Sequence, residues 1–134
     1  MSAAVENARL EFATYAGMDA GDLPGSTMSA TQVLLARWQS RQFGPANAEQ
    51  LALGVAEETG ELCHAILKAA QGIRGQDDRE HHVECVADAI ADVAIYLTQL
   101  ATLYRLDFGE LYVATAMRVI QRDWRKDSAA GGER

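Results

Sequence analysis

Three glutamates within five residues, Glu57, Glu58 and Glu61, and two aspartates four residues apart, Asp88 and Asp92, are the side chains whose types and spacing point to chemistry. A helix advances about 100° per residue, which sets Glu58 and Glu61 roughly 60° apart and Glu57 and Glu61 roughly 40° apart, so all three can converge. Asp88 and Asp92 stack on one helical face for the same reason. Around them Val86, Ala87, Ala89, Ile90, Ala91, Val93, Ala94, Ile95 and Leu97 leave almost no polar surface. A helix apolar nearly all round is normally buried on several sides, and a buried carboxylate must be protonated, ion-paired or bound to metal. Few basic residues are placed to pair with these five, so the pattern asks for a cation. Hard divalent ions suit it: Mg²⁺ takes oxygen ligands and is commonly held by a few carboxylates together with substrate phosphates. Two such ions polarise a phosphoryl group and activate water. The bland alternative makes the three glutamates a solvated helix face, which the apolar surroundings of Asp88 and Asp92 disfavour.

The elements that must position these carboxylates read as helices, with no convincing strand alternation. Residues 1–28 form an extension, with a short helix expected over 4–17 and a loop through Gly21-Asp22-Leu23-Pro24-Gly25-Ser26. Ser29 is the expected N-cap of a first helix reaching about Gln42, where Phe43-Gly44-Pro45 stops it. Its polar residues Gln32, Arg37, Gln39 and Arg41 leave one side for solvent or ligand. Asn47, with Gln50 three residues on, opens a second helix to Gln71 that carries the glutamates. Gly72 to Asp78 breaks the pattern and is short enough to make the flanking helices antiparallel neighbours. The third helix, about Asp78 to Tyr104, carries the aspartates, and a fourth runs from Phe108 to about Lys126. Gly54 and Gly60 each cost the second helix roughly 1 kcal/mol relative to Ala. Close helix packing accounts for such glycines, as does room for a metal-bound phosphate. Residues 128–134 read as a flexible tail.

A chain of 134 residues with 49% hydrophobic content builds one domain with a real core. Twelve basic against 19 acidic residues give a net charge of -7, which argues against non-specific binding to nucleic acid or an anionic membrane, since both rest on positive surface. A polyanionic substrate would arrive neutralised by metal. Cys63 and Cys85, isolated and without a Cys-x-x-Cys pair, suit a reducing cytoplasm and read as small buried apolar residues. No secretory signal opens the chain, and the uncharged apolar run from Val93 to Tyr104 is too short to span a bilayer. The expectation is a cytoplasmic protein without a membrane partner.

The run Gly54-Val55-Ala56-Glu57-Glu58-Thr59-Gly60-Glu61-Leu62, followed by Leu67-Lys68, Gln71-Gly72-Ile73-Arg74-Gly75 and Asp88-Ala89-Ile90-Ala91-Asp92-Val93-Ala94-Ile95-Tyr96-Leu97, resembles the MazG-like all-α nucleoside triphosphate pyrophosphohydrolases. Trp38-Gln39, Phe43-Gly44 and Arg122-Asp123-Trp124-Arg125-Lys126 look like the flanking segments of that family, so the resemblance covers roughly 29–127. It implies an oligomeric four-helix bundle and Mg²⁺-dependent (or Mn²⁺-dependent) cleavage of a nucleoside triphosphate between its α- and β-phosphates, giving the monophosphate and pyrophosphate. Carried over by position, Glu58, Glu61 and Asp92 would be metal ligands, with Glu57 a ligand or the group orienting the attacking water. The commoner family pattern has Glu at the position of Ala89; Asp88, one residue earlier, and Glu84, one turn back, are the two candidates for the fourth carboxylate. Lys68, Arg74, Arg122 and Lys126 are candidate phosphate contacts. Trp38 is a candidate for base stacking against the alternative of a half-buried core residue, and Gln39 and Gln42 are candidates for reading base edges.

Two other constellations compete. Glu61-Leu62-Cys63-His64, with Asp78-Arg79-Glu80-His81 as a loose second copy, is the Glu-x-x-His element of di-iron carboxylate bundles. Cys63, His64, His81, His82 and Cys85 are zinc-type ligands, although adjacent residues on a helix diverge by about 100°. A non-catalytic helical interaction module, its acidic face meeting a basic partner, is the reading from another class. The apolar circumference of the third helix further implies a homodimer or homotetramer, because one small protomer cannot cover every side of it.

Overall fold

The computed structural model describes residues 27–72 and 79–123. The expected helix over 4–17, the tail, and the candidate residues Arg74 and Lys126 lie outside the described residues. Within them the chain is all-α: α1 is Thr27–Phe43, α2 Ala48–Gln71, α3 Arg79–Leu103 and α4 Phe108–Ile120.

The helix boundaries follow from their caps. α1 ends at Gly44, whose positive φ of 79° lets its N–H return to the Ser40 carbonyl at 3.2 Å. α2 starts where expected, with the Asn47 side chain accepting from the N–H groups of Glu49 at 2.8 Å and Gln50 at 3.2 Å. It stops at Gly72, left-handed at φ 60°. α3 ends in a Schellman turn: the Leu106 N–H donates to the Ala101 carbonyl and the Arg105 N–H to that of Thr102, both at 2.9 Å. The left-handed position of that turn is held by Arg105, at φ 58°, rather than by glycine. α4 is shorter than expected.

Ser29 is not an N-cap. It sits inside α1, which begins two residues earlier, and its Oγ donates to Asp107 Oδ2 at 2.6 Å. Asp107 is itself the N-cap of α4, taking the Glu110 N–H on Oδ1 at 2.9 Å. Beside this tether Gln32 is buried rather than turned to solvent or ligand. Its Nε2 donates to Thr102 Oγ1 at 2.9 Å and to the Leu106 carbonyl at 2.7 Å, while its Oε1 accepts the Phe108 N–H at 2.8 Å. One amide thereby fastens α1 to the end of α3, the turn after it and the start of α4, each bond contributing about 1 kcal/mol.

α3 is the hub. It packs on α2 along most of its length and meets α1 and α4 towards its C-terminal end, whereas α2 touches neither α1 nor α4 among the described residues. The arrangement is therefore a helix hairpin with two further helices clasped to one end. Among the described residues the buried apolar side chains are few: Ala30, Leu34, Leu51, Ala89 and Ala101. α4 buries no residue, and Leu53, Tyr112 and Ile120 are each about 70% exposed. α3 is also long and apolar enough, by length and composition alone, to cross a bilayer, and 22% of that stretch is buried; the uncharged run 93–104 alone understates it.

Candidate functional site

α2 and α3 run antiparallel. Gly54 is buried against Tyr96, so closely that a Cβ there would overlap ring atoms Cδ1, Cε1 and Cζ; one turn further along α2, Glu58 feels the charge of Asp92, one turn back along α3. Close packing is thus the reason for glycine at 54. Beyond this contact the helices border an open groove of about 880 Å³. Its α2 wall presents Glu57, Gly60, Glu61, His64, Ala65 and Lys68; its α3 wall presents His81, His82, Cys85, Asp88, Ala89 and Asp92. A Cβ at Gly60 would meet nothing within 4 Å, so this second glycine faces room.

Four of the five sequence-selected carboxylates, Glu57, Glu61, Asp88 and Asp92, line this one groove. They do so as exposed groups, not as charges buried in a packed core. The reason is the placement of α1 and α4: the buried face of α3 around Thr98, Gln99 and Ala101 lies towards its C-terminal end, and the earlier turns bearing Asp88 and Asp92 are left open. Glu58 is half-buried. Its pKa is pushed above the ordinary 4.5, first by partial desolvation and then by the negative charges of Asp92, Glu61 and Glu57. Among the described residues no three His, Cys, Asp or Glu side chains already converge on one coordination point. The donors are nonetheless of the type hard cations take, and their common excess of negative charge is what a divalent ion offsets.

The remaining candidates are scattered. Lys68 lines the groove, and its Nζ donates to Gln71 Oε1 at 3.3 Å. Trp38 and Gln39 lie on α1, which does not touch α2; Trp38 is half-buried and meets Phe43 edge-on at 5.5 Å between ring centroids, as expected of a packing residue. Glu84 is exposed on α3 and Arg122 follows α4; neither belongs to the groove lining. Cys63 and Cys85 are both exposed, not buried. The groove also gathers His64, His81, His82 and Cys85, and the i, i+4 spacing of His81 and Cys85 is the sequence signal for that gathering. Comparison with known proteins finds no matching family model, no matching curated protein and no matching solved structure.

Proposed function

We propose that the chain is a Mg²⁺-dependent nucleoside triphosphate pyrophosphohydrolase, hydrolysing a (d)NTP to the monophosphate and pyrophosphate, as a cytoplasmic homodimer or homotetramer serving nucleotide-pool house-cleaning. The observation that supports it most is the lining of one groove by Glu57, Glu61, Asp88 and Asp92, with Glu58 destabilised as an anion beside them. The groove volume is also of the size that accepts a small-molecule ligand. Glu58, Glu61 and Asp92 would hold Mg²⁺ or Mn²⁺, with Asp88 as the further oxygen ligand; the bound ion supplies Lewis acidity and an acidified water. Glu57 orients the water by accepting a hydrogen bond from it. Lys68 offsets phosphate charge from the α2 wall, with Arg74, Arg122 and Lys126 as further cations and Trp38 and Gln39 as base contacts if oligomerisation brings α1 to the groove. Hydrolysis consumes one water, breaks the α–β phosphoanhydride and leaves a proton for solvent. The exposed apolar residues of α2 and α4, including Leu53, Ile66, Tyr112 and Ile120, support the oligomer.

Glu58→Gln is the deciding variant, because it removes a ligand charge at nearly constant volume. Pyrophosphate release from a panel of (d)NTPs with Mg²⁺ should fall by orders of magnitude while helical circular dichroism is unchanged; near-normal turnover would end the assignment. The exposed apolar surface of α4 also suits a non-catalytic interaction module. That reading expects no Mg²⁺-dependent rise in melting temperature, whereas a cation site among crowded carboxylates gains stability on binding.

A further inference from the structure

We infer that His81 and Cys85 form a two-residue clip for a borderline transition-metal ion of the zinc class, at the end of the groove away from Glu57, Glu58 and Asp92. The two are four residues apart on α3, and Cys85 Sγ stands 3.7 Å from His81 Nε2. On a tetrahedral Zn²⁺, with Zn–N near 2.0–2.1 Å and Zn–S near 2.3 Å, two such ligands are roughly 3.6 Å apart. The separation of the pair therefore matches the bite of one ion. Divergence of adjacent helical residues, which counts against His81 with His82, does not apply to residues that share a face.

The surroundings fit. Both side chains line the groove and both residues are exposed, so an ion reaches them from solvent. The antiparallel register fixed by Gly54 against Tyr96 and Glu58 near Asp92 brings His64 of the opposite wall level with Cys85. Among the described residues no third donor already stands at coordinating distance, so the clip supplies two positions and water or a reoriented His64 the others. Thiolate and imidazole select softer ions than the carboxylates do, which gives one groove two cation preferences. Binding releases the Cys85 thiol proton to solvent.

The test uses the full chain, freed of metal, titrated with Co²⁺ and followed by thiolate-to-cobalt charge-transfer absorption. The wild type should develop this band with saturation at one Co²⁺ per chain, and equimolar Zn²⁺ should abolish it. Cys85→Ser should lose the band and His81→Ala should weaken it, while Cys63→Ser and Asp92→Asn keep it and excess Mg²⁺ leaves it in place. A band that survives Cys85→Ser, that never forms in the wild type, or that yields to Mg²⁺ overturns the clip. The readout is independent of turnover, so it stands or falls apart from the proposed hydrolase activity.

Discussion

Asp107 and Glu58 are both carboxylates beside the ends or walls of helices, yet their surroundings drive them in opposite directions. Asp107 lies among donors: the Ser29 hydroxyl foremost, then the Glu110 and Gly109 N–H groups, hold its pKa below the ordinary 3.8 against some desolvation. Glu58 lies among partial burial and three like charges, which hold its pKa above 4.5. The C-terminal end of α3 thus carries a polar clasp, and the α2–α3 groove gathers like charges. Carboxylates raised by like charges are a recurring feature of functional sites, and the groove, not the clasp, has that character.

The sharpest way to break the contrast, after loss of turnover in Glu58→Gln, is to cut the clasp. Gln32→Leu leaves the Phe108 N–H and the Leu106 carbonyl without their partner and should cost roughly 3 kcal/mol in urea unfolding. If stability is unchanged, the clasp is not what fastens α1 and α4 to α3. The two glycines of α2 give the next effect, with opposite signs expected. Gly54→Ala forces a methyl into the Tyr96 ring and should destabilise by about 1–3 kcal/mol, whereas Gly60→Ala meets open space and should stabilise the helix by up to about 1 kcal/mol. Equal effects in the same denaturation series would contradict the register of α2 on α3.

The smallest effect separates the two carboxylates by pH. Since the folded pKa of Glu58 is above 4.5, the native state binds more protons than the unfolded chain in the window just above that value, and stability falls as pH rises through it. Asp107 works the other way: its folded pKa is below 3.8, so its contribution is present above 3.8 and is lost as pH falls through the folded value. Melting temperature against pH in metal-free buffer should therefore lose its decline above pH 4.5 in Glu58→Gln, and lose part of its acid limb in Asp107→Asn. Unaltered profiles in both variants would mean that the two environments are equivalent.

Helix existence and the hairpin were legible in the sequence because they rest on local signals. Asn47 caps α2, Gly72 ends it, and the acidic spacings place Glu57, Glu61, Asp88 and Asp92 on one groove. What was not legible depends on partners far along the chain. Ser29 carries the signature of a helix start but is used 78 residues away on Asp107. Gln32 belongs by type to a wet face, and only the turn after α3 explains its burial. Cys63 and Cys85 are of a type usually buried, but the open hairpin leaves their surroundings uncovered. That His64 lines the same groove as His81 and Cys85 depends on the α2–α3 register, which no single helix reveals.

The dual duty of Asp107 has an outcome for how the molecule comes apart. The same carboxylate both starts α4 and tethers it to α1 through Ser29, and no residue of α4 is fully buried. A proton on Asp107 weakens initiation and attachment in a single event, so acid loosens α4 before the α2–α3 hairpin, which is held instead by the steric interlock of Gly54 and Tyr96.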